Sequence, residues 1–259
     1  MLEQVHVKRE DEAGISTLTM NRGAQYNPLS TEMMQALYDQ ITNISLDSSI
    51  KAVILKGSGK GFCSGHDLKE MNSNRDKAWL TALFAQCNKL MQAIIDCPKP
   101  VIAQVHGIAT AAGCQLTSVC DLAITSSEAR FALPGVNVGL FCSTPAVGVS
   151  RNIARKRVME MLLTGEMIDA DTALSWGLVN AVVPLEDLDS AVKKMADRFR
   201  HKSSDVIALG KKAFYQQINR NVVDAYDIAA DAMVCNMLLD DNIEGIDAFL
   251  NKRNPNWKT

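Results

Sequence analysis

The chain opens with a polar and apolar alternation from Val5 to Met20 around the turn Asp11-Glu12-Ala13-Gly14, which predicts two short strands. Behind Pro28, Met33, Met34, Leu37 and Ile41 recur at helical spacing and predict a helix from Ser30 to Ile41. Ala52-Val53-Ile54-Leu55 is wholly apolar and runs into Gly57-Ser58-Gly59-Lys60-Gly61, the pattern of a buried strand feeding a loop. A long amphipathic helix is expected from Asp76 to Asp96, stopped by Cys97-Pro98-Lys99-Pro100 because proline cannot continue it. The strand Val101 to Val105, the small-residue stretch Gly107 to Gly113 and the apolar run Leu122-Ala123-Ile124 follow. Apolar strands that alternate with helices argue for parallel strands joined by crossovers.

From about Ala191 the strand-like runs give way to helical periodicity, notably Val222 to Leu239 and Glu244 to Arg253. The expected organisation is a core over residues 1–195 and a helical C-terminal module over 196–259, able to cover a site or form a subunit interface. No internal sequence repeat, low-complexity tract or linker is apparent.

The 259 residues, 47% hydrophobic and 22% charged, suit one large domain or a domain with an appendage. A formal net charge of -2 gives no basic field for a nucleic-acid backbone, so none is expected as a partner, and a polyanionic ligand must be met by a few placed cations. The start MLEQVHVKREDE lacks the basic and apolar runs of a secretory signal, and no apolar run has membrane-spanning length, so a cytoplasmic protein without membrane insertion is expected. Seven cysteines with no CxxC pair point to reduced thiols. His6, His106 and His201 fall into no pattern, zinc-type spacing is absent, and no metal is expected.

Two loops could carry chemistry, because each sets small residues between a buried strand and a helix, where main-chain N–H groups can face an anion. They are Gly61-Phe62-Cys63-Ser64-Gly65-His66-Asp67-Leu68 and Gly107-Ile108-Ala109-Thr110-Ala111-Ala112-Gly113-Cys114-Gln115. Taken singly, either loop serves tight turn packing as well as function.

Together with other segments they carry a resemblance. Asn21-Arg22, Asn27-Pro28-Leu29, the stretch Phe62 to Met71, Gly113-Cys114-Gln115-Leu116 and Cys120-Asp121 come first. Leu163-Thr164-Gly165, Gly177-Leu178-Val179, Val182-Val183-Pro184, Glu244-Gly245, Ala248-Phe249 and Lys252-Arg253 follow in order. Across nearly its whole length the chain thus resembles the enoyl-CoA hydratase/isomerase family, the crotonase superfamily.

The resemblance implies an α/β fold, a crotonase-like spiral of ββα units with a C-terminal helical trimerisation region, assembled as a homotrimer or a dimer of trimers. It implies an acyl-CoA thioester as ligand and no cofactor beyond its coenzyme A moiety. The backbone N–H groups of His66 and Ala112 match the family's pair that holds the thioester oxygen as charge builds on it. By the resemblance Ser64, Gly65, His66, Asp67, Leu68 and Lys69 should line the nucleotide end of coenzyme A, joined by Phe249 and Lys252 of a neighbouring subunit, while Ala24 stands where a phosphate-binding lysine is common.

The family's hydratases use two glutamates, which fall here on Gln115 and Gly135, and an aspartate used by some members falls on Ser143. Neither Gln115 nor Gly135 can take or give a proton at neutral pH, and Ser143 too lacks a carboxylate, so weak hydration or none is expected. Histidine at position 66 is similar to the methylmalonyl-CoA decarboxylase branch. The readings this leaves open are a lyase, isomerase, decarboxylase or thioester hydrolase with Gln115, Ser143, Thr144, Cys114 and Cys142 near the acyl group, or a catalytically silent acyl-CoA-binding protein.

Overall fold

The computed structural model describes residues 5–258. It opens with the antiparallel pair β1 (Val7–Glu12) and β2 (Ile15–Met20), turning at Ala13 and Gly14, both with positive φ. Helix α1 (Thr31–Leu46) is capped by Ser30, whose hydroxyl accepts from the Met33 amide. It runs a turn past the predicted end because Ile44 is buried behind the polar pair Thr42 and Asn43 that hid it.

Three repeats of one unit follow. The first is β3 (Ala52–Gly57), β4 (Gly61–Cys63), the short α2 (Leu68–Ser73) and α3 (Lys77–Asp96). The second is β5 (Val101–Val105), β6 (Ile108–Thr110) and α4 (Ala112–Val119). The third is β7 (Leu122–Ser126), β8 (Arg130–Ala132), α5 (Ser143–Val149) and α6 (Arg155–Thr164). In each unit the first strand joins a large sheet and the second a small one, so the chain climbs as a spiral of strand, strand and helix. The pattern did not reveal β6 and β8, which have three residues each.

β9 (Ile168–Asp169), α7 (Ala170–Trp176) and β10 (Ala181–Val183) complete the sheets. The large sheet has the order β1-β2-β3-β5-β7-β10 and is parallel beyond β2, while the small one has the order β4-β6-β8-β9. The large sheet is covered on both faces, so its central strands are continuously apolar. Val53 and Leu55 enter the main core with α1 and α3, and Ala52 and Ile54 meet Leu188, Val192 and Ala196 of α8 (Leu188–Arg200) on the opposite face.

The expected boundary at 195/196 therefore falls inside a helix that packs on the sheet. The break in burial comes at α9 (Ser204–Gln217) and α10 (Val222–Met237), neither of which has a fully buried side chain, with α11 (Asp240–Leu250) after them. α11 ends before the predicted Arg253, and Lys252 beyond it takes φ +53°. Tyr226, Leu238 and Phe249 are among the large apolar side chains left exposed here. No helix among the described residues is long and apolar enough to cross a membrane.

One buried ion pair ties α9 to the core. The Lys211 ammonium lies 2.6 Å from the Asp121 carboxylate and also donates to the Ile94 and Lys99 carbonyls, while the Tyr215 hydroxyl and Val101 amide donate to the same carboxylate. Removing one member leaves a buried charge without its counterion, which typically costs about 3 kcal/mol or more. Lys211→Met is expected to lower the unfolding free energy by about 3 kcal/mol, and adding Asp121→Asn to recover part of it, both read from chemical denaturation. Equal losses in the single and double variants would remove the ion pair from the account.

Candidate functional site

The first loop is held from behind by Asn27, fully buried at φ +51°. Its amide nitrogen lies 2.9 Å from the Ser58 and Gly61 carbonyls and 3.1 Å from that of Phe62, and its oxygen accepts from the Arg22 amide. Ahead of it the Ser64 amide donates to the Tyr26 carbonyl, and the Thr110 hydroxyl donates to the Ser64 carbonyl, tying this loop to the second.

Leu29 then forms a single parallel bridge with His66. The Leu29 amide donates to Gly65 at 2.8 Å, and the Asp67 amide donates to Leu29 at 3.3 Å. Main-chain groups alternate sides along an extended segment, so the bridge uses residues 65 and 67 and turns the His66 N–H the other way. Asp67 caps α2 by accepting from the Lys69 and Glu70 amides and pairs with Arg22 at 3.2 Å.

The second loop approaches from the opposite side. Ala111 sits at φ 50°, ψ -120°, a region that L-residues avoid at a cost of about 1–3 kcal/mol. It is held there by its amide on the Ala132 carbonyl and by its own carbonyl, which accepts the Gln115 amide. That is the first bond of α4, so the amides of Ala112, Gly113 and Cys114 are the helix's free donors.

Two glycines let the loops touch. A β-carbon on Gly113 would stand 2.0 Å from the Cys63 carbonyl oxygen. One on Gly65, at φ +94°, would stand 2.9 Å from the Ala111 β-carbon and 3.2 Å from the Ala112 nitrogen. The peptide that carries the His66 amide is therefore a neighbour of the Ala112 amide.

The side chains around this pair are neutral. Both ring nitrogens of His66 are buried without a hydrogen-bond partner among the described residues, and the ring meets Phe84 edge-on at 5.5 Å. Burial pushes its pKa below the ordinary histidine value, with the Leu29 main chain opposing weakly. Gln115 is 4% exposed and its Oε1 is likewise unpartnered. Burial pushes the Cys114 thiol up to about 12 and raises that of Cys142, so neither is a ready thiolate nucleophile.

Gly135 lies in a 3-10 turn, Pro134–Val138. Its amide donates to the Cys142 sulfur at 3.3 Å and its carbonyl accepts from Leu140, and a β-carbon there would come within 2.7 Å of the Leu140 carbonyl oxygen. Position 135 is thus closed rather than vacant. Ser143 is exposed at the start of α5, its hydroxyl turned back on the Phe141 carbonyl.

The remaining expected residues spread more widely. Leu68 and Lys69 are exposed on the first turn of α2, and Ala24 is exposed in the turn Gly23–Gln25. Phe249 lines an open cleft of about 450 Å³ between α9 and α11, apart from the loops, and Lys252 lies just past the end of α11. Asn27 and Ala111 are absent from the sequence reading as supports, although asparagine takes positive φ more readily than most residues.

Comparison with known proteins identifies a family and a fold. The family model described as enoyl-CoA hydratase/isomerase matches residues 10–259. Enoyl-CoA hydratase domain-containing protein 3, mitochondrial, of Xenopus laevis is 44% identical over 248 residues, covering 96% of this chain and 84% of its own length. A crystal structure of an enoyl-CoA hydratase of Mycobacterium smegmatis superposes with a TM-score of 0.95 at 48% identity, covering 98% and 99% of the two chains. That of human enoyl coenzyme A hydratase domain-containing protein 3 gives 0.94 at 41% identity, covering 97% and 100%.

These relatives also correct the cytoplasmic expectation, since the Xenopus, rat and human proteins all bear a mitochondrial name. That expectation rests on a missing secretory run, whereas a mitochondrial address is written in arginine-rich amphipathic segments that such a test does not register.

The strain at Ala111 gives a measurable sign. Alanine to glycine normally costs about 0.5–1 kcal/mol within a helix or strand, but glycine takes the Ala111 conformation freely. Ala111→Gly is therefore expected to leave stability unchanged or raise it by about 1 kcal/mol in chemical denaturation, and a clear loss would show that the backbone there is unstrained.

Proposed function

Since this chain belongs to the enoyl-CoA hydratase/isomerase family, with its crotonase fold, we propose that it binds an acyl-coenzyme A thioester and holds the carbonyl oxygen between the amides of His66 and Ala112. The contact of Gly65 with Ala111 and Ala112 is the observation that carries this reading. Charge that builds on the oxygen as an enolate forms is met by two N–H dipoles, each worth about 2.7–4 kcal/mol in comparable sites. Both are main-chain groups fixed by the fold, so nothing reorganises during reaction.

In this reading the segment from Ser64 to Lys69 flanks the nucleotide end of the ligand. The Asp67 and Lys69 amides are engaged within the chain, so the exposed side chains of Leu68 and Lys69 do the contacting. Ala24 leaves one phosphate without a lysine. Phe249 and Lys252 of a neighbouring copy supply further contacts in a homotrimer or dimer of trimers. The apolar surface that α9, α10 and α11 leave exposed supports such an assembly.

The reaction is of the lyase or isomerase kind that needs enolate stabilisation more than water activation. Gln115, Gly135 and Ser143 provide no carboxylate to activate water or deliver a proton, and His66 is held neutral with no hydrogen-bond partner among the described residues to relay its proton. A second reading, a binder that does not turn its ligand over, is favoured by that same lack of an acid–base pair.

General acid–base groups each contribute about 10²–10⁴-fold. Crotonyl-CoA hydration is therefore expected at least about 10⁴-fold below a dedicated hydratase assayed in parallel, by loss of enoyl absorbance. Gly135→Glu is expected to restore nothing, because its β-carbon would overlap the Leu140 carbonyl. Hydration at a dedicated enzyme's rate would overturn the proposed division of labour.

A further inference from the structure

Asp67-Leu68-Lys69-Glu70 at the start of α2 has the spacing of a capping box, in which the glutamate returns to the amide of the capping residue. Half of the box forms, since Asp67 accepts from the Lys69 and Glu70 amides at 3.1 and 3.3 Å. The other half is blocked, because the Asp67 amide already donates to the Leu29 carbonyl. The Glu70 carboxylate turns instead to the first residue of α1. Its Oε1 accepts from the Thr31 hydroxyl at 2.5 Å and its Oε2 from the Thr31 amide at 3.1 Å.

That contact extends the bridge between Leu29 and His66. Positions 29 and 31 of one segment meet 66 and 70 of the other, first through main chain and then through a side chain. Thr31 is fixed from a third side as well, since the Gln86 carboxamide on α3 donates to its carbonyl at 2.9 Å. A negative group also suits the N-terminus of α1, where the first amides lack partners within the helix. α2 has few other ties. It has no fully buried side chain, Met71 packs only partly on the core, and Asp67 pairs with Arg22 at its start.

The geometry points to Glu70 as a positioning residue: by clamping α2 to the first turn of α1 it keeps the bridge between Leu29 and His66 closed and the His66 amide aimed at the thioester oxygen. The inference rests on the thioester reading above and deepens it. Glu70 acts through the backbone of the first loop rather than on the ligand, so its loss should weaken the grip on the carbonyl oxygen and spare the rest of the ligand's contacts.

Isothermal titration with butyryl-CoA and with S-butyl-CoA, the thioether that lacks the carbonyl oxygen, tests it. Two N–H contacts to that oxygen are expected to give the wild type about a tenfold preference for the thioester. In Glu70→Ala and in Thr31→Val the preference is expected to fall to about twofold or less, while Thr31→Ser, which keeps both donors to Glu70, retains it. A role in stability alone would weaken both ligands together and leave the ratio unchanged. Amide hydrogen exchange over residues 68–74 is also expected to quicken in Glu70→Ala, although alanine is the better helix former and propensity alone predicts the opposite. A preference that survives in Glu70→Ala, one that is lost in Thr31→Ser, or unchanged exchange over residues 68–74 overturns the clamp alone. Equal binding of the two ligands by the wild type, or binding of neither, overturns the paired-amide reading and the clamp with it.

Discussion

The site depends on two backbone loops approaching more closely than side chains allow. Gly113 lies so near the Cys63 carbonyl, and Gly65 so near Ala111 and Ala112, that a β-carbon at either glycine would collide or crowd. Everything that positions the amide pair follows from this contact. Asn27 gathers the strand end behind the first loop, the Leu29 bridge turns His66 outward, and the Ala132 carbonyl holds Ala111 in its strained conformation. The spiral supplies the framework, because each unit returns a short strand of the small sheet to the same edge, with β4 and β6 paired in parallel.

The same neighbourhood is built to stay uncharged. Burial keeps His66 neutral and the thiols of Cys63, Cys87 and Cys114 protonated, while Asp67 is consumed by Arg22 and the cap of α2. In the proposed reading, oriented main-chain dipoles stabilise the developing oxyanion, and such dipoles act most strongly where water and mobile charge are excluded. The closed turn at Gly135 fits this picture, since Cys142 and Leu140 occupy the hydrogen-bonding space beside it.

Much of this was legible in the sequence where burial and period coincide. The run Ala52 to Leu55 announced a strand covered on both faces, and the Met33, Met34, Leu37 and Ile41 stripe announced α1. The two glycine-bearing loops were visible as candidates. What escaped was set by tertiary contact rather than local pattern. Three-residue strands such as β6 are too short for a period, α8 belongs to the core although its stretch reads as the onset of the helical module, and the conformation of Ala111 is imposed by Ala132, some twenty residues away. Nor could Gly135 be read as closed, because only the folded turn brings Leu140 and Cys142 against it.

The account stands on two amides that share one oxygen, and a vibrational measurement addresses that directly. Infrared difference spectra of butyryl-CoA labelled with carbon-13 at the thioester carbonyl isolate its stretch from the protein background. Two short N–H contacts polarise the bond, so the band is predicted to move to lower frequency on binding. A bound ligand whose carbonyl band stays at its solution frequency would contradict the account.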